Sequence, residues 1–152
     1  MKKTRATEAI LYAGLLAGTM DLTAAFIVTV WQNGNNTRML QSIASGFLGA
    51  LSFQGGKATA VLGVLTHFTI AFIWTIVFYL LSRRIKFLTA KPIVSGVLYG
   101  IAVYFLMYYV VVPHSAAPFK MPHTFNATVK DVLIHIVCVG LPIALVTRRF
   151  AK

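Results

Sequence analysis

Acidic side chains are scarce in this sequence. Its 152 residues include three Asp and Glu against 14 Lys and Arg, and charged residues of both signs make up 11% of the chain. An ordinary soluble domain carries about 25% charged residues. Hydrophobic residues make up 58% and the mean hydropathy is +0.78. This composition excludes an ordinary soluble domain and predicts one integral membrane domain over residues 1–152.

Cysteine and the common catalytic motifs are also missing or rare. Cys138 is the only cysteine, so an intrachain disulfide is excluded. The GxSxG, HExxH, CxxC and P-loop patterns do not occur, and these absences favour a protein that is not an enzyme. The basic residues lie between apolar runs rather than together on one polar surface, so we expect no nucleic-acid partner.

Long apolar runs are what the sequence does contain. A spanning helix needs about 20 mostly apolar residues, and four segments meet or approach that length: 9–31, 58–81, 92–112 and 128–147. A fifth segment, 37–53, is shorter and repeats small residues at a spacing of four, which permits close helix contact. We predict an all-α membrane protein, a bundle of four transmembrane helices with an additional interfacial or re-entrant helix on the outer side.

The distribution of Lys and Arg predicts which side the loops face. With four spans and a cytoplasmic N-terminus, ten basic residues lie inside and four outside. If 37–53 were a fifth span, six would lie inside and eight outside, which the positive-inside rule disfavours. We therefore predict a multi-pass protein with both termini in the cytoplasm. The basic residues expected to set this topology and to contact anionic lipid are Arg83, Arg84, Lys86, Arg148 and Arg149.

Asp21 is the strongest functional signal, because it lies near the middle of the first apolar run. A carboxylate at that depth is costly in lipid and usually faces a bundle interior, a partner or a water-filled path. The helix face around Asp21 carries mostly small residues, so we predict that this face contacts another helix. The glycines expected at helix contacts here and elsewhere are Gly14, Gly18, Gly46, Gly49 and Gly63.

His67 in the second span is the predicted neighbour of Asp21. At about 1.5 Å per residue, Asp21 lies about 15 Å from the outer end of the first span, and His67 lies about 14 Å from that of the second. His135 enters the bundle from the same side, on a face with Asp131 and Cys138. We predict a cluster of Asp21, His67 and His135 in the outer half of the bundle.

Three hypotheses follow for this cluster. It could serve a small transporter or channel-like protein that handles protons or a small cation. It could instead belong to a haem- or metal-binding redox protein that uses His67 and His135. Alternatively, Asp21 and a histidine only clasp two helices of a non-catalytic scaffold or partner subunit. His114 and His123 in the outer loop are further candidates for a metal ion or a pH sensor. No cofactor is predicted outside the second hypothesis, and the expected partners are the lipid bilayer and further copies of the chain.

Several runs of the chain resemble an uncharacterised family of small bacterial inner-membrane proteins. The resemblance covers nearly the whole chain and implies a four-span helical protein of the bacterial inner membrane, with no activity attached. Asp21, His67 and His135 all fall inside the resembling runs, which are GLLAGTMDLTAAF (14–26), LQSIASGFLGA (40–50), LGVLTHFTIAF (62–72), YGIAVYFLMYYVVVP (99–113) and HIVCVGLPIAL (135–145).

Overall fold

Four helical segments are long and apolar enough to cross a membrane. They are Arg5–Trp31, Gly56–Arg84, Pro92–Val111 and Phe125–Phe150. The structure, a computed structural model, describes residues 3–119 and 124–150, and within these the chain forms helices and no strand. The prediction of an all-α membrane protein with four spans is confirmed.

The first half of the chain forms three helices. Helix α1 is Lys3–Trp31, and it begins before the predicted span because the polar residues at its start continue the same helix. Helix α2 is Asn36–Leu48, and its first turn is capped by Asn35, whose side chain accepts the Arg38 N–H at 3.0 Å. Helix α3 is Gly56–Arg84.

The second half contains two spans that each include a π-helical turn, in which the backbone bonds run from residue i to i−5. A short helix α4 (Phe87–Ala90) precedes α5 (Pro92–Leu106), which continues as the π-helical turn Met107–Val111. The fourth span consists of α6 (Phe125–Ile134), the π-helical turn His135–Gly140 and α7 (Leu141–Phe150). It begins three residues earlier than the predicted span, because Thr124 caps it by accepting the Ala127 N–H at 3.3 Å.

The start of α1 and the end of α7 lie at the same end of the bundle. The rings of Tyr12 on α1 and Phe150 on α7 stack with their centroids 5.9 Å apart, so the start of the first span and the end of the fourth span are neighbours. We call this the termini end, and the opposite end, where α1 ends and α3 begins, the α2 end. By their positions along the helices, the basic residues that lie at the termini end are Arg5, Arg83, Arg84, Lys86, Lys91, Arg148 and Arg149.

Helix α2 packs across the α2 end of the bundle. Its Gln41 side chain is buried and donates to the carbonyl of Gly56 at 3.0 Å, and its Gly46 carbonyl accepts the Ala116 N–H at 2.9 Å from the segment after the third span. The predicted helix 37–53 is therefore present in part. Gly49, at φ +58°, ends α2, and Gly49–Gln54 forms a 3₁₀ turn instead.

The third and fourth spans contact each other backbone to backbone. A Cβ added at Gly140 would overlap backbone atoms of Gly96 and Gly100, and one added at Gly100 would lie 2.6 Å from the Ile136 Cα. Small residues allow this close approach in a membrane. Beside this contact lies a core of six buried residues: Ala17, Phe78, Val103, Val139, Ile143 and Ala144.

Candidate functional site

A cavity of about 370 Å³ lies between the four spans and under α2. Asp21, His67 and His135, which the sequence predicts to cluster, all line it. Asp131 also lines it, so the cavity holds two of the three acidic residues in the chain. In the described part of the chain no Lys or Arg lines the cavity.

The Asp21 side chain is half-buried and faces this cavity without a protein partner. Within residues 3–119 and 124–150, no hydrogen bond or ion pair joins its carboxylate to another group. The described residues therefore contain no hydrogen bond or ion pair between Asp21 and His67, the bond that a clasp made by these two side chains would require. A carboxylate in a bundle interior must be solvated or neutralised by something.

His67 on α3 forms a hydrogen bond to the backbone of α1. Its Nε2 lies 2.9 Å from the carbonyl oxygen of Gly18, one turn before Asp21 on α1. Because a carbonyl only accepts, Nε2 carries the hydrogen, and in the neutral imidazole Nδ1 keeps the lone pair. The histidine thus clasps the two helices through one ring nitrogen and retains a basic nitrogen on the other.

His135 also bonds to a backbone carbonyl through one ring nitrogen, but through Nδ1 instead of Nε2. Its Nδ1 lies 2.8 Å from the Asp131 carbonyl, one turn back on the same span, which leaves Nε2 with the lone pair. His135 is also the first residue of the π-helical turn of the fourth span. Such turns are rare and frequently occur at functional sites. Both of the π-helical turns in the described chain contribute residues to this cavity.

Aromatic side chains form one wall of the cavity. Trp74, Tyr104 and Tyr108 all line it. The Tyr104 ring stacks on Tyr108 with centroids 5.4 Å apart and meets the His135 ring edge-on at 5.5 Å. The Trp74 indole N–H lies 3.3 Å from the Met107 sulfur, so the ring is held in place. The cavity therefore combines an unpaired carboxylate with three fixed aromatic rings.

Two fully buried side chains close the cavity toward the termini end. Phe78 and Ile143 have no exposed surface, and each lies farther toward the termini end of its span than the cavity-lining Trp74 and Val139. Toward the other end the lining includes Thr29 and Val112, close to the last turns of their spans, and Met39, Ser42 and Ile43 of α2. The cavity therefore extends from the middle of the bundle to the α2 end.

No third side chain joins the predicted metal ligands among the described residues. Among the described residues, no group of three or more His, Cys, Asp and Glu side chains could hold a metal ion. His114 is exposed, does not line the cavity, and its Nδ1 bonds to the Val110 carbonyl at 2.7 Å. His123 lies outside the described residues. A two-ligand centre on His67 and His135 stays a prediction.

The predicted packing glycines contact different partners. Cβ atoms at Gly14 and Gly18 would overlap the Phe72 and Phe68 rings of α3, and one at Gly63 would overlap the backbone of Leu40. Gly46 and Gly49 face Ser115 and Ala116 at ordinary contact distances. The contact through Gly96, Gly100 and Gly140, which positions His135, was missed in the sequence, although Gly96-x-x-x-Gly100 is a G-x-x-x-G pattern in an apolar run.

Cys138, which was expected on the same face as Asp131 and His135, does not line the cavity, whereas its neighbour Val139 does.

Comparisons with protein-family models, with curated proteins and with solved structures found no match to this chain.

Proposed function

We propose that this protein is a small membrane transporter or channel-like protein that admits protons or a small cation to the cavity from the α2 end. The observation that carries the proposal is the unpartnered Asp21 carboxylate in a cavity that both intramembrane histidines also line. A buried carboxylate whose charge changes as a cation binds or leaves couples binding to protonation.

Charge supports a cation rather than an anion. The chain has a net charge of +11, yet two of its three acidic residues line the cavity, and no Lys or Arg in the described segments does. Asp131 is partly neutralised by Lys130, whose Nζ lies 3.4 Å from Asp131 Oδ1. Asp21 therefore supplies the main uncompensated negative charge.

The histidines provide the second part of the mechanism. Each has one ring nitrogen bonded to a backbone carbonyl, which fixes the ring, and one nitrogen that accepts a proton. A proton bound by His67 or His135 would lie in the same cavity as the Asp21 carboxylate. Protons and a cation would then compete for one group of side chains.

The orientation is part of the proposal. We place the bundle in a bacterial inner membrane on the resemblance alone, with the termini end in the cytoplasm because most basic residues lie there. The cavity would then extend to the outer side, under α2.

Flux measurements in proteoliposomes test the proposal. Vesicles that contain a pH-sensitive dye are given a potassium gradient, and proton and potassium movements are followed for the unmodified protein and for Asp21→Asn. We expect the amide to abolish the flux, since it cannot carry the charge. Glu8→Gln is the matched control, because it makes the same chemical change at an acidic residue outside the cavity.

Flux that is unchanged in Asp21→Asn would contradict the proposed mechanism. Absence of flux from the unmodified protein, together with a lower melting temperature for Asp21→Asn, would favour the scaffold hypothesis. A visible absorption band of the purified protein that is lost in His67→Ala would favour the haem hypothesis.

A further inference from the structure

We propose that the cavity binds an organic ammonium ion, a cation that carries alkyl groups, rather than a bare metal ion. This inference rests on the proposed function, since it names the substrate class of the same cavity. It is carried by the joint presence of Asp21, Trp74, Tyr104 and Tyr108 on the cavity walls.

The first argument concerns what solvates the cation. A bare inorganic ion needs several oxygen ligands to replace its water shell, and apart from Asp21 and Asp131 the lining is dominated by apolar side chains. An alkylated ammonium ion holds its water weakly and is attracted by the faces of Trp and Tyr rings. The wall composition therefore suits the organic cation better.

The second argument concerns volume. The cavity measures about 370 Å³, and small-molecule sites begin at about 300 Å³. Such a space is large for one dehydrated metal ion, and it is large enough for a small organic molecule. The rings around the space are also fixed, because Trp74 bonds to Met107 and Tyr104 stacks on Tyr108.

The third argument concerns the sign of the charge. An anionic molecule would be repelled by the unpaired carboxylate, and a neutral molecule would bury it further from water without compensating its charge. Because the described lining contains no Lys or Arg, it has no permanent positive charge to attract an anion. A cation that pairs with Asp21 would satisfy the carboxylate and place its alkyl groups against the rings.

Binding of choline compared with its neutral carbon analogue, 3,3-dimethylbutan-1-ol, tests this inference. The two molecules have the same shape and differ in charge. The chain contains two tryptophans, and Trp31 is 81% exposed at the end of α1. In a Trp31→Phe background, tryptophan fluorescence therefore reports Trp74 in the cavity. The full-length protein is titrated in a maltoside detergent, and radiolabelled choline is measured by equilibrium dialysis.

We expect choline to change the Trp74 emission and the neutral analogue to have little effect. Asp21→Asn should weaken choline binding about 10- to 100-fold, the loss expected for a charge-assisted contact. Tyr104→Leu should weaken it about 2- to 30-fold, while Tyr104→Phe, which keeps the ring, should not. Glu8→Gln and Tyr12→Leu are the matched controls away from the cavity. If Tyr104→Leu does not fold, Tyr108→Leu makes the same test by dialysis.

Equal binding of choline and the neutral analogue, or choline binding that survives Asp21→Asn, would overturn the inference. Proton or potassium flux that depends on Asp21, without any choline binding, would overturn the substrate class and leave the proposed function intact. Choline binding that depends on Asp21, in a protein that moves no cation, would support the site and contradict transport.

Discussion

His67 on α3 donates its Nε2 hydrogen to the carbonyl oxygen of Gly18 on α1, at 2.9 Å. The bond joins residues 49 positions apart in the sequence and holds α3 against α1 one turn from Asp21. Gly18 permits this approach, because a Cβ there would lie 2.8 Å from the Phe68 ring. The histidine holds the two helices together, and the nearby Asp21 carboxylate lines the cavity without a hydrogen bond to the histidine.

Replacing His67 by Leu removes this interhelical bond. We expect the free energy of unfolding to fall by about 1 kcal/mol, the typical range for a hydrogen bond between membrane helices. The measurement is thermal or denaturant unfolding in detergent. Thr69→Val on the same helix is the control, since the Thr69 hydroxyl bonds only within α3, to the Leu65 carbonyl, and is exposed. Equal losses in the two variants would show that the His67–Gly18 bond does not hold the helices.

Replacing Gly140 by Ala disrupts the contact between the third and fourth spans. The new methyl group would overlap backbone atoms of Gly96 and Gly100, which side-chain rotation cannot relieve. We expect a loss of about 1–3 kcal/mol or more, as for other overpacked sites. Gly46→Ala is the control, because its nearest atom would be the Ser115 Cβ at 3.8 Å and Ala favours the helix. A Gly140→Ala protein as stable as Gly46→Ala would contradict the described contact.

Thr147 has a buried hydroxyl whose removal should stabilise the protein. It is 1% exposed, and its Oγ1 has no hydrogen-bond partner among the described residues. An unsatisfied buried hydroxyl costs about 1–3 kcal/mol, so Thr147→Val should raise the unfolding free energy. Thr75→Val is the matched control, since Thr75 is equally buried but donates to the Ala71 carbonyl at 2.8 Å. We expect no gain there, and a gain at both positions would assign the effect to hydrophobicity alone.

Thiol labelling tests the orientation of the bundle. In a Cys138→Ala background, Gln54→Cys places a thiol at the α2 end and Ala90→Cys places one near the termini end, and both positions are exposed. With the termini in the cytoplasm, a membrane-impermeant maleimide added to whole cells should label Gln54→Cys alone. Permeabilised cells, in which both should react, are the control. Labelling of Ala90→Cys alone in whole cells would reverse the orientation.

The four spans could be predicted from the sequence because they depend on hydropathy, which is a local property, and the helix rise correctly placed Asp21 and His67 at a common cavity. Neighbouring faces of small residues also placed His67 beside α1. The atom that His67 contacts could not be predicted, since an imidazole near a helix can bond to a side chain or to a backbone carbonyl, and small rotations of the helices decide between them.

The fourth span shows where the local argument fails. The π-helical turn that begins at His135 lies against Gly100, and the apolar periodicity of the sequence does not reveal it. Asp131 before the turn and Val139 inside it both line the cavity, and Cys138 does not. The pair Gly96 and Gly100 is visible in the sequence, but their partner Gly140 lies on another span, and no local pattern identifies it.

The core of Phe78 and Ile143 has a consequence for any movement through the bundle. Because these side chains block one end of the cavity, a bound molecule can leave only through the end by which it entered. Net passage through the bundle therefore needs a second conformation in which these two side chains separate. A bound molecule favours that conformation only if it binds the open conformation more tightly than the blocked one.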